Sequence, residues 1–192
     1  MSSVFKLDHF TITNTRSKHK DTVYVAFTTL VTPRGQPVTQ TKSMGDLNNG
    51  TFSVGLTSSV ISLEKDQTLV LNYFIVNAGK DSRVDIETAL ERVGRAFASG
   101  GIGVPQAPNL MSAMGSQDVL DWFALELQGI YAQGSCDGLV AVEQDTYSYV
   151  ALLPTPNPVP YALTTVHNGT EPPGGCNKHV SGYSVTYTAV EV

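Results

Sequence analysis

The sequence predicts a mainly β protein: an antiparallel β-sandwich with an inserted pair of α-helices packed on one sheet. Three observations carry this. Apolar and polar residues alternate along the opening and closing stretches of the 192-residue chain, which is the period of a strand with one buried face. Two stretches in the middle switch to helical spacing. Charged residues make up only 15% of the chain, below the usual quarter, while Thr, Val, Ser and Gly are plentiful, a balance that favours strands and turns. The closing strands need partners among the opening ones. Residues 1–192 therefore read as a single sandwich domain, with 82–133 as a helical insertion within it.

The elements follow in order. In LDHFTIT, Phe10 and Ile12 point to one face while His9, Thr11 and Thr13 point to the other. In TVYVAFTTLV, Val23, Val25, Phe27 and Val31 share a face. Between these runs RSKHKD reads as a hairpin tip, with TPRGQP and GDLNNGT as later turns. FSVGL and VISL are short strands. TLVLNYFIV differs, because Leu69, Leu71, Tyr73 and Ile75 fill one face and Val70, Phe74 and Val76 most of the other. Such a strand needs cover on both sides. The opposing sheet supplies one cover and the following helix the other.

That helix begins near Ser82, with Asp85 three residues on as a capping pair. Ile86, Leu90, Val93 and Phe97 recur on one side, and Glu87, Glu91, Arg92 and Arg95 take the other. GGIGVPQAP ends it. A second helix is expected from about Ser116, with Val119, Phe123, Leu127 and Ile130 in a stripe beside Trp122. Strand signals return in LVAVEQDTYSYVALL. PTPNPVP is an extended connector, and YALTTVH and SGYSVTYTAVEV close the chain, the latter with Tyr183, Val185 and Tyr187 on one face.

The formal charge of −5 is unevenly spread: residues 1–95 balance at +2 and residues 96–192 at −7, where Lys178 stands alone among the basic residues. An acidic second half repels phosphate backbones, so no nucleic-acid partner is expected. The opening MSSVFKLDHFTI lacks the pattern of a signal peptide, and no apolar run approaches the roughly 20 residues of a membrane span. A cytoplasmic location is the default expectation, with non-classical export as the alternative.

Candidate contacts cluster in loops. Arg16, Lys18, His19 and Lys20 form a basic tip able to hold an anion, Arg16 as a forked donor and the lysines as point charges. Asp21, Asp46 and Asn48 are candidate calcium ligands, although DLNNGT lacks the EF-hand spacing and also suits plain turn chemistry. Cys136 and Cys176 lie in Gly-flanked turns and pair as a candidate disulfide, whose closure would contribute ~4 kcal/mol. With His167 and His179 they form a poorer zinc set, because only CNKH brings two ligands close. Tyr147 and Tyr149 share a strand face and suit either a sugar ring or the core. Glu143 and Asp145 alternate onto one face, as paired carboxylates or as a solvent-facing edge.

GxSxG, HExxH and GxxxxGK[ST] are all missing, so nothing favours an enzyme. The expected function is a non-catalytic binding module that recognises a carbohydrate or cell-surface protein ligand through loops at one end of the sandwich. A membrane-interacting protein using the basic tip or the helical pair is the first alternative. An enzyme with a site built from scattered loop residues is the second.

Overall fold

The computed structural model describes residues 2–78, 83–98, 136–149, 161–168, 176 and 180–192, without the side chains of 83–85, 96–98 and 161. In chain order the elements are β1 (Ser2–Asn14), β2 (Asp21–Thr32), β3 (Val38–Leu47), β4 (Gly50–Thr57), β5 (Ile61–Ser62), β6 (Thr68–Asn77), α1 (Arg83–Ala98), β7 (Gly138–Ser148), β8 (Tyr161–Asn168) and β9 (Gly182–Glu191). Two antiparallel sheets result, one ordered β4-β1-β9-β8 with β5 beside β1, the other β3-β2-β6-β7.

Alternation decides which residues meet between the sheets. Phe5, Leu7, Phe10 and Ile12 of β1 face Val23, Val25 and Phe27 of β2, and Leu69, Leu71, Tyr73 and Ile75 of β6 face Tyr183, Val185 and Tyr187 of β9, all within one buried cluster. The rings of Phe10 and Tyr183 pack at 5.7 Å between centroids. The two-sided strand β6 is covered as its sequence requires, by the opposing sheet within and by α1 without, since α1 packs across β2, β3 and β6. Among the described side chains of that helix, Ile86, Leu90 and Val93 are buried.

Two expectations need correction. The basic stretch is not a hairpin tip: β1 and β2 belong to different sheets, so residues 15–20 cross over the end of the sandwich. Both strands are strongly apolar on one face, and the two faces meet across the core, about 10 Å apart, a gap that a six-residue connection spans. The helical pair is not supported either. Among the described residues there is one helix, α1, and the second one expected from about Ser116 lies outside them. The PTPNPVP connector lies outside the described residues as well. TPRGQP does form a hairpin turn, joining the paired strands β2 and β3.

The outer face under α1 carries an unusual row. Thr39, Thr28, Asn72 and Gln144 stand opposite one another across β3, β2, β6 and β7. Thr28 and Thr39 bond to each other at 2.8 Å, whereas both amide atoms of Asn72 and the Gln144 carbonyl oxygen are buried with no hydrogen-bond partner among the described residues. The helix approaches the sheet closely at Gly94, where a Cβ would stand 2.5 Å from Thr28 Oγ1 and 3.0 Å from Thr39 Cγ2.

Two effects oppose each other at Gly94. Alanine would gain about 1 kcal/mol of helix propensity, but overpacking against two short, mutually bonded threonines costs roughly 1–3 kcal/mol. Overpacking wins, so Gly94→Ala is expected to lower the urea midpoint at unchanged m-value. A raised midpoint would show that α1 does not rest on this threonine pair.

Candidate functional site at the crossing connection

The site is built around Asp21, the first residue of β2 and fully buried. One carboxylate oxygen accepts from the backbone N–H of Arg16 at 2.8 Å and the other from that of Ser17 at 2.8 Å. The Tyr183 hydroxyl of β9 donates a third bond at 2.8 Å. A carboxylate is acceptable in the interior only when it is bonded in this way. Burial, and secondarily the Asp21 charge, raise the Tyr183 pKa far above the ordinary phenol value, so its hydroxyl stays a donor.

Asn77, the last residue of β6, makes a second knot. Its Oδ1 accepts from the Thr22 N–H at 2.7 Å. Its amide donates to Ser17 Oγ at 3.0 Å and to the Cys136 carbonyl at 2.9 Å. That carbonyl also accepts from Arg16 Nε at 2.9 Å. The guanidinium lies flat on Gly138, where a Cβ would come within 2.7 Å of it. Cys136 and Cys176 are joined by a disulfide with Cα atoms 5.6 Å apart. The connection is therefore fastened to β2, β6, β9 and the start of β7.

Of the four basic candidates, the structure separates one from three. Arg16 is only 4% exposed and lies in the scaffold. Lys18, His19 and Lys20 are exposed. With Ser17, Thr22, Asp46 and Cys136 they line an open depression of about 370 Å³. Asp46 is fixed on its wall by a 2.8 Å bond from Thr22 Oγ1.

The calcium candidates do not share one environment. Asp21 holds three donors in the interior, Asp46 stands on the depression, and Asn48 is exposed in the β3–β4 connection. Among the described residues no group of three His, Cys, Asp or Glu side chains is placed to hold a metal. Tyr147 and Tyr149 lie toward the far end of β7, which starts beside the depression and runs 11 residues away from it, about 35 Å at strand rise. Both pack against the core, Tyr147 on Phe5 at 5.6 Å. The basic and tyrosine candidates thus belong to opposite ends of the sandwich.

Glu143 and Asp145 point inward rather than to solvent, because they stand opposite the inward residues Tyr73 and Leu71. They join a polar network on the β7–β8 side of the core. Tyr187 donates to Asp145 at 2.5 Å and shares a hydrogen bond with Tyr147, while Tyr73 and His167 share one of 2.7 Å across the sheets. Burial, then the Asp145 charge, push the Glu143 carboxyl up to about 7. Burial pushes the His167 imidazole down to about 4. The sequence signal for this network was the shared parity of Ala141, Glu143, Asp145 and Tyr147, which by itself does not say inside or outside.

No protein-family model, curated protein or solved structure matches the chain.

Two measurements follow from this geometry. Asp21→Asn turns one acceptor into a donor facing a backbone N–H, and is expected to cost about 2–4 kcal/mol in denaturant unfolding; a loss below 0.5 kcal/mol, within the usual range for surface substitutions, would remove Asp21 from the scaffold. The β7–β8 network gives two opposed pH dependences. Glu143 keeps a proton in the fold that the unfolded chain loses near 4.5, so its contribution weakens as pH rises from 4.5 to about 7. His167 stays neutral in the fold while the unfolded chain protonates near 6.5, so its contribution weakens as pH falls from 6.5 to about 4. Relative to the parent, Glu143→Gln should therefore lose stability on acidification through this window and His167→Gln should gain it. Parallel curves for all three proteins would contradict the assignment.

Proposed function

We propose that this chain is a non-catalytic binding module that takes an anionic carbohydrate of a cell surface into the depression beside the crossing connection. One observation carries the reading: Lys18, His19 and Lys20 are exposed around a single depression whose floor is fastened by buried bonds and a disulfide. A cationic loop that is already ordered loses little entropy when it binds. Lys18 and Lys20 would meet sulfate or carboxylate groups, and Ser17, Thr22 and Asp46 would exchange hydrogen bonds with ring hydroxyls.

The membrane alternative uses the same cations, but among the described residues the depression's lining includes no Phe, Tyr, Trp or large aliphatic side chain for insertion. Anchoring at a lipid interface gains most from such side chains. The carbohydrate reading is therefore preferred. Among the described residues the paired acids open to an enzyme are Glu143 and Asp145, and the hydroxyl and imidazole groups of their network instead bond one sheet to the other. The disulfide supports an oxidising destination over the cytoplasm. Peripheral calcium at Asp46 would serve as an accessory to glycan binding and is a separate question for titration.

Calorimetric titration with a sulfated oligosaccharide tests this, with anionic phospholipid vesicles as the comparison. Binding should weaken steeply with salt and fall at least about tenfold in Lys18→Glu/Lys20→Glu, a change of about 1.4 kcal/mol. Equal binding by parent and variant would remove the depression as the site. Vesicle binding without oligosaccharide binding would favour the membrane reading.

A further inference from the structure

Each sheet ends in two edge strands, and natural sheets protect such edges with charge, bulges, proline or cover. Three of the four edges here carry such a device. Strand β3 holds Lys42 and a register shift opposite Val23 and Tyr24. Its neighbour across the core, β4, is bridged by side chains of β3: Gln40 donates to the Thr57 carbonyl at 2.7 Å and Lys42 to the Val54 carbonyl at 2.5 Å. Strand β7 turns Glu143 and Asp145 inward.

The fourth edge is β8, and among the described residues it shows no charge, bulge or proline, its tie to the other sheet being the His167–Tyr73 bond. YALTTVHN contains no Lys, Arg, Asp, Glu or Pro. It pairs with β9 in unbroken register from Tyr161 to Asn168. Among the described residues no strand pairs with its other side. Its outward face shows Val166 at 70% exposure, the largest value among the exposed large hydrophobic residues described.

The geometry points to β8 as a self-pairing edge, taking the β8 of a second copy of this chain antiparallel about a two-fold axis through Thr164. The register follows from the side-chain period. A two-fold axis perpendicular to the sheet keeps outward residues on one side only when residues of equal parity stand opposite. Centring on Thr164 sets Val166 against Ala162 of the copy on both sides of the axis, apolar against apolar. Centring on Thr165 would set Val166 against Thr164 and Ala162 against Asn168. A neutral strand also places no like charges opposite each other, which is the usual obstacle to self-pairing in a protein of net charge −5.

The paired edges would form one continuous sheet through both copies. Asn168 of β8 stands opposite Gly182, and Gly182 opposite Asn14, so the crossing connection sits at the C-terminal end of β8. Antiparallel pairing then points the two depressions in opposite directions. Such a dimer would bridge two ligand-bearing surfaces instead of gripping one surface twice.

Sedimentation velocity on the full disulfide-bonded chain tests this across a concentration series. The expected result is a particle of twice the 20.6 kDa chain mass that dissociates on dilution. Val166→Lys and Ala162→Glu should each weaken association about tenfold or more, since each changes two symmetric cross-strand pairs. Val166→Lys/Ala162→Glu should recover most of it, because each lysine then faces a glutamate of the copy. Circular dichroism of the exposed-site variants checks that the monomer fold is kept. A monomer at every concentration would overturn the proposal, as would a dimer indifferent to Val166→Lys. Single losses without recovery in the double variant would overturn the Thr164-centred register.

Discussion

The buried carboxylate of Asp21 is the constraint on which the rest of this end of the molecule depends. Removing a carboxylate from water costs several kcal/mol unless donors replace the solvent. Here three do, two from the crossing backbone and one from β9. The chain leaving β1 must therefore turn over the end of the core and present Arg16 and Ser17 to β2. Once it does so, the Arg16 side chain is carried inward to the Cys136 carbonyl. The exposed cations that follow inherit a fixed base. Asn77 donates to the same carbonyl, so one backbone oxygen just before β7 collects β6 and the connection, and the disulfide anchors its residue through the side chain.

The two open sides of the sandwich are closed by different chemistry, and the difference matters for pH. On the β3–β4 side, Gln40 and Lys42 donate to backbone carbonyls. On the β7–β8 side the bonds run between side chains: Tyr187 to Asp145 and Tyr73 with His167. Between about pH 4 and 7 this second side holds one proton on Glu143 and none on His167. Their opposed responses offset each other over the overlap of the two ranges. These two side chains can thus be half-buried and titratable while together contributing little net change over that overlap.

Local pattern disclosed the strands and the core because burial follows parity: Phe10, Ile12, Val23, Val25, Tyr183 and Tyr187 all lie on the faces their alternation assigned. Parity could not say which strands share a sheet. A hairpin and a crossing have the same local sequence, a polar stretch between two amphipathic strands, and only the meeting of apolar faces across the core separates them. The same limit hid the roles of Arg16 and Asp21. Charged residues in a loop read as solvated, and their burial depends on Tyr183, Asn77 and Cys136, which are remote in sequence. Glu143 and Asp145 were misplaced for a related reason, since an acid pair on an edge strand has no local mark of facing inward. The row under α1 is the opposite case: Asn72 within TLVLNYFIV was visible, yet its unbonded amide has no counterpart in sequence pattern at all.

An acidic protein with a small cationic site has consequences for what that site can hold. At physiological ionic strength the screening length is about 8 Å, so the protein's net charge of −5 would act weakly on a short ligand held at Lys18 and Lys20. It acts more strongly on a long polyanion, whose remaining charges extend over the neighbouring surface. A nucleic acid offers a dense, continuous row of phosphates and meets that repulsion along its length. A short or sparsely charged chain bearing hydroxyls between its anionic groups does not, and it can use Ser17, Thr22 and Asp46 as well as the lysines. On the proposed reading Asp46 would sharpen this discrimination. An acid on the wall of a cation-lined depression opposes a bare phosphate but accepts hydrogen bonds from hydroxyls, which favours an anionic sugar over a simple anion.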